Sequence, residues 1–112
     1  MTARPAAAAP ARGRKTPKMP MQSEASFQKQ VIVWAEQRGW FAYHVYDSRR
    51  CVAGFPDLVL VRRPHVIFAE LKRQDGKVSE DQQAWLDELK ACGQIAVVWR
   101  PSDWQAIAEA LA

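Results

Sequence analysis

Three residues at one end of an apolar hairpin carry the chemistry open to this sequence. The stretch GFPDLVLVRRPHVIFAELK, residues 54–72, holds two apolar runs, DLVLV and VIFAELK, joined by the polar link RRPH. Asp57 opens the first run, and Glu70 and Lys72 stand at the end of the second. Burying a charge costs free energy unless it is paired or bound to a metal. A hairpin that only packs has no use for three charges gathered at one end. In a strand, residues two apart share a face, so Glu70 and Lys72 project together and Leu71 points away. The loop decides where Asp57 falls. If Arg62 faces His65 across a two-residue loop, Asp57 lies opposite Glu70; a four-residue loop sets it opposite Lys72. A three-residue loop sets it opposite Leu71, on the wrong face. A site therefore requires an even loop or a bulge.

Two carboxylates on one face suit a hard cation that takes oxygen ligands, Mg²⁺ or Mn²⁺. A lysine beside them can orient or help deprotonate a water and can neutralise charge on a phosphate. The combination suits phosphodiester hydrolysis. Taken singly, the residues have plainer accounts: Glu70 and Lys72 as a solvated edge, Asp57 as a cap on the turn after Pro56. Gathered at the ends of paired apolar strands, they point to a site.

The elements that must position the trio read as follows. Phe27, Val31, Trp34 and Ala35 fall on one helical face between Ser23, an N-cap, and Gly39, a terminator. WFAYHVY, residues 40–46, is rich in aromatic and β-branched residues and predicts a strand. DSRRCVAGF is a loop leading to Pro56 and Asp57, and QDGK is a turn after the hairpin. SEDQQAWLDELKACG predicts a second helix with Trp85, Leu86 and Leu89 on one face, closed by Gly93. IAVVW, residues 95–99, is a continuous apolar run, as in a strand covered on both faces. Pro101 ends it, and SDWQAIAEALA predicts a last helix. The expected fold is α/β, a small mixed sheet in the order α-β-β-β-α-β-α, and its closing strand–helix–strand favours a right-handed parallel crossover.

The 112 residues suffice for one small domain. Residues 1–22 hold four of the seven prolines, five basic residues (Arg4, Arg12, Arg14, Lys15, Lys18) and no acid, and are expected to form a disordered basic tail. The chain's net charge of +4 is thus the tail's five basic residues set against a domain, residues 23–112, one charge to the acidic side. Any basic patch on the domain must come from local pairs, Arg49-Arg50 or Arg62-Arg63. The alanines of the tail are interrupted by Pro and Arg, unlike a signal sequence, and no run approaches a membrane span. Cys51 and Cys92 match no metal spacing and suit ordinary thiols in a reducing compartment, so a cytoplasmic location is expected.

Gly54-Phe55-Pro56-Asp57 followed by Glu70-Leu71-Lys72 resembles the PD-(D/E)xK nuclease signature. The further run Ser79, Gln82, Trp85 and Gly93 resembles, more narrowly, the virus-type replication-repair nuclease (VRR-NUC) domain, over about residues 23–105. That resemblance implies a restriction-endonuclease-like core and a Mg²⁺- or Mn²⁺-dependent endonuclease. Asp57, Glu70 and the Leu71 backbone carbonyl would be metal ligands, and Lys72 would take a catalytic role. Glu24 matches an acidic position that related nucleases use as an additional ligand, although a glutamate in a helix's first turn is favourable with the macrodipole anyway.

Ser79-Glu80-Asp81-Gln82 also reads as a capping box, which by itself accounts for the spacing. Gln82 is therefore a cap first and a support for the site second; Ser102-Asp103-Trp104-Gln105 repeats the pattern. Arg49 and Arg50, in the loop before the motif, suit contacts to a nucleic-acid phosphate or solvated loop charges alike. His44 suits core or edge, and His65 the hairpin turn. The five tryptophans suit core positions, and none stands out as a base-stacking platform. By resemblance to Holliday-junction resolvases, the expected form is a homodimer acting on branched DNA in repair, from a phage or bacterial genome. The rival expectations are a nucleic-acid-binding module that has lost catalysis and a nuclease acting on RNA.

Overall fold

The computed structural model describes residues 21–45 and 52–112. The Ser23 hydroxyl accepts the Ser26 amide at 3.1 Å and opens helix α1, Glu24–Gln37. Its buried stripe is Phe27, Val31 and Ala35, all 0 % exposed. Gly39, at φ +87°, turns the chain into strand β1, Phe41–His44, which is shorter at both ends than the run from 40 to 46 suggests. Strands β2, Leu58–Arg62, and β3, His65–Leu71, form the hairpin, so His65 opens a strand rather than sitting in the turn.

Helix α2, Glu80–Ala91, leads to β4, Ile95–Trp99. A short 3₁₀ turn, Pro101–Asp103, then runs into helix α3, Trp104–Leu111. The second capping box expected at Ser102 does not form. Ser102 lies within the 3₁₀ turn, its hydroxyl accepts from Gln74, and Asp103 instead accepts the Arg100 amide at 2.9 Å.

The sheet order is β1-β2-β3-β4, antiparallel at the first two junctions and parallel at the third, with α2 crossing between β3 and β4. One face carries Leu58, Leu60, Ile67, Ala69 and Leu71 against α1 and α3, whose Ile107 and Leu111 complete the core. Each fully buried aliphatic side chain there is worth about 2 kcal/mol. Helix α2 covers the β3–β4 half of the opposite face, where Phe55 packs edge-on between Phe68 and Trp85. Strand β4 lies at the sheet's edge, so the expectation of cover on both faces fails for Ile95, which is exposed, while Ala96 and Trp99 are buried.

The pair Arg62-Arg63 does not act as one patch. Arg62 turns to the core side, stacks over Trp40 and donates to the carbonyls of Arg38 and Ala112, pinning the C-terminal helix. Arg63 is left exposed in the turn.

Candidate active site

The hairpin register settles the loop question. Arg62 pairs with His65 and Leu58 with Ala69, so the loop is even and the register, carried one step on, places Asp57 opposite Glu70. Strand β2 begins at Leu58, one residue after Asp57, which leaves the Asp57 side chain free of the ladder at the strand's mouth. Its Oδ2 accepts the Leu71 amide at 3.0 Å, while the next amide, Lys72, donates to the Trp99 carbonyl at 3.0 Å. In an extended strand the N–H and C=O of one residue point to the same edge. The Leu71 carbonyl therefore faces the Asp57 side too, beyond the start of β2.

Glu70 is 1 % exposed, the one buried acid among the described residues. Its Oε2 takes both available partners, Gln82 Nε2 at 2.9 Å and Lys72 Nζ at 3.4 Å. Its Oε1 is buried with no hydrogen-bond partner. Two ionised carboxylates are both acceptors and cannot bond to each other unless one holds a proton. Burial first, and then the charge and contact of Asp57, push the Glu70 carboxyl up to about 8, against the opposing pull of Lys72. One lysine does not offset the loss of water plus a second carboxylate. A cation between the two acids would.

The turn carrying Asp57 is clamped from α2. Gly54 sits at φ +93°, and a Cβ on it would meet the Asp81 backbone carbon at 2.5 Å. Phe55 is held between Phe68 and Trp85, with ring centroids 6.2 and 5.1 Å away, and Pro56 is buried. Beyond Lys72, Arg100 donates to the carbonyls of Arg73 and Gly76, at 3.0 and 2.6 Å, and braces the QDGK turn.

Gln82 and Trp85 stand three apart on α2, so one helical face reaches the acid through the first and the Asp57 turn through the second. The capping box does form at Ser79, and Gln82 serves the cap and Glu70 at once. Sequence reasoning named Gln82 but missed the hold of Trp85 and Asp81 on the Asp57 turn, although the shared face of Gln82 and Trp85 was its signal.

Glu24, at the first turn of α1, stands at the margin. Burial and Asp57 raise its carboxyl above the usual range while Lys72 and Arg73 oppose, so it feels the site electrostatically; its Oε2 accepts from Gln28 at 3.4 Å. Among the described residues, no three His, Cys, Asp or Glu side chains gather into a metal cage. The donor set that fits a hard cation is the Asp57–Glu70 pair with its orphaned Oε1, and the Leu71 carbonyl facing the same gap. Arg49, Arg50 and the basic segment before Met21 lie outside the described residues.

A mixed four-stranded sheet with an acid pair and a lysine at the mouth of its central hairpin has the architecture of a nuclease-family domain. The VRR-NUC domain model matches residues 11–103, and the chain belongs to that family. The match starts ahead of Ser23, inside the segment read from composition as a tail. A solved structure described as a VRR_NUC domain protein superposes with a TM-score of 0.66 at 23 % identity, covering 81 % of this chain and 87 % of that one, and shares the fold. No curated protein matches the sequence. Among the described residues, no helix is long and apolar enough to cross a membrane.

Proposed function

We propose that the protein is a divalent-metal-dependent nuclease that hydrolyses phosphodiester bonds in DNA. The observation that carries this reading is the buried, unpartnered Oε1 of Glu70 beside Asp57. A buried carboxyl oxygen left without a partner beside a second carboxylate is costly unless a proton or a cation meets it. Asp57, Glu70 and the Leu71 carbonyl would hold Mg²⁺ or Mn²⁺, with Glu24 reaching in as a further ligand. Such a cation supplies Lewis-acid stabilisation of a phosphoryl oxygen and makes water more acidic.

The chain's own residues do the rest. Gln82 and Lys72 hold Glu70 by one oxygen and leave the other for the metal. Lys72, 12 % exposed and anchored by its own amide to Trp99, presents a positive charge to the scissile phosphate and to the attacking water. Arg49 and Arg50 would supply contacts to nucleic-acid phosphates. Cutting two strands symmetrically calls for two sites, which supports a homodimer acting on branched DNA.

The test is incubation of the purified chain with Mg²⁺ or Mn²⁺ and linear, flapped and four-way DNA, with RNA alongside. Metal-dependent cleavage that falls at least about a hundredfold in Lys72→Ala, at nearly unchanged DNA affinity, is the expected result. Binding without cleavage under every metal would identify an inactive binding module. Wild-type rates in Asp57→Asn or Glu70→Gln would refute the site.

A further inference from the structure

The catalytic face of the sheet is only half covered. Its rows follow from the register: Asp57 with Glu70, then Tyr43, Val59 and Phe68, then Phe41, Val61 and Val66. The Val45 amide donates to the Asp57 carbonyl at 3.1 Å, so β1 runs alongside the site row. Over β3 this face lies under Phe55 and Trp85; over β1 and β2 nothing in the described chain covers it. Phe41 is 79 % exposed, Tyr43 65 % and Val61 41 %, all on this ledge. The other exposed large apolar residues, Met21, Val33, Val52 and Ile95, belong to other elements. Burying an aromatic ring stabilises by about 2 kcal/mol or more, so two rings left open on one strand face call for an occupant.

We propose that this ledge is a stacking platform for unpaired nucleobases of the substrate strand, with Tyr43 and Phe41 as its two rings. The inference rests on the nuclease reading of the adjoining site. Rows on one strand face are ~7 Å apart, so Tyr43 stands one row from Asp57 and Phe41 two. That spacing is about twice the ~3.4 Å rise between stacked bases in a duplex, which suits one base per ring in an unstacked strand. Exposed Arg63 stands beyond Phe41 at one end of the ledge, and at the other Lys72, paired with Glu70, stands one row past the acid pair. Arg63 lines a cleft of about 380 Å³ with Gly39, Phe41, Val61 and Arg62. A backbone running from one to the other would meet positive charge at both ends while its bases lie on the rings. Such stacking is tolerant of sequence, because every base has a π-face.

The test measures binding of full-length protein, in chelator so that nothing is cut, to a short oligothymidine and to an abasic strand of equal length. The wild type is expected to prefer the base-bearing strand, by roughly tenfold for each ring engaged. Phe41→Leu/Tyr43→Leu keeps apolar bulk without a π-face and should lower affinity to the abasic level; Phe41→Trp/Tyr43→Trp should retain the preference. A wild type that binds both strands equally, or a leucine variant that keeps the preference, overturns the proposal. So does a leucine variant whose affinity falls only because a dimer dissociates in sedimentation, since the face would then join two copies of the chain. Because binding is read without metal, a protein that stacks bases but never cleaves would sink the nuclease reading alone. Metal-dependent cleavage with no base preference would sink the ledge alone.

Discussion

Gln82 donates its amide nitrogen to Glu70 Oε2 at 2.9 Å while its own carbonyl oxygen accepts the Ser79 backbone amide, also at 2.9 Å. A flipped amide would set oxygen against carboxylate and nitrogen against nitrogen, so the network fixes the orientation. The helix cap thereby decides which oxygen of the buried acid is occupied and which is left without a partner.

Two alanine substitutions separate these roles. Ser79→Ala removes the hydroxyl that caps α2, at a cost of about 1 kcal/mol, but leaves the backbone amide that tethers Gln82. Its Mn²⁺ affinity should hold. Gln82→Ala should cost similar stability and also lower Mn²⁺ affinity about tenfold, the usual scale for a group that orients a ligand. Denaturant unfolding and calorimetric Mn²⁺ titration read the two quantities. Equal Mn²⁺ affinity in both variants would reduce Gln82 to a cap.

The raised Glu70 carboxyl predicts a pH dependence with a definite sign. Its folded value, about 8, lies above the ordinary 4.5, so between those values the folded chain binds a proton that the unfolded chain has lost. In chelator, this contribution to stability is present at low pH and is lost as pH rises through that window, with a slope of at most about 1.4 kcal/mol per pH unit. Glu70→Gln should flatten the profile. Mn²⁺ displaces the proton, so its stabilising effect should grow with pH. Stability of the wild type in chelator that rises from pH 5 to 8 as fast as in Glu70→Gln would contradict the account.

Gly54 and Gly93 both hold positive φ, +93° and +83°, but only Gly54 has backbone against it. Alanine in such a conformation costs roughly 1–3 kcal/mol at either position. At Gly54 a Cβ also collides with Asp81, and the turn must move with Asp57 on it. Gly54→Ala should therefore lose more stability than Gly93→Ala and should also lose Mn²⁺ affinity, which Gly93→Ala keeps. Matching losses in the two variants would mean the clamp on the turn is slack.

Much of this was legible in the sequence. Helical periodicity and apolar, β-branched runs located the three α-helices and four strands, while the 3₁₀ turn Pro101–Asp103 was read as the start of the last helix. The charged trio declared itself because Asp57, Glu70 and Lys72 break apolar strands where packing gives no reason for charge. The resemblance carried by Gly54 to Lys72 and by Ser79 to Gly93 named the family. What stayed hidden depends on neighbours distant in the chain. The even loop needed the observed pairing of Arg62 with His65. Ile95 reads as buried until β4 is placed at the sheet's edge. Gln82 was read as a cap first and a support second, and only the crossing of α2 above Glu70 shows that it serves both at once. Phe41 and Tyr43 read as ordinary strand residues, and only the sheet order shows that no helix among the described residues covers them.

The basic segment before Met21 makes a claim of its own. Residues 23–112 carry slightly more acid than base, so long-range attraction to DNA should draw on Arg4, Arg12, Arg14, Lys15 and Lys18. Each phosphate contact contributes about 0.9 to the slope of log affinity against log salt on duplex DNA. Deleting residues 1–20 leaves Met21 and Gln22, which contact Arg73 and Gln30, in place. The truncated chain should bind all DNA sequences more weakly and with a shallower salt slope. Its cleavage rate at saturating DNA should change little, because no proposed site residue is removed. The competing account assigns the electrostatic footprint to Arg49, Arg50 and Arg63 and makes the segment an inert extension. Binding measured across a salt series for both proteins separates the two, and identical slopes would show that the segment touches no phosphate.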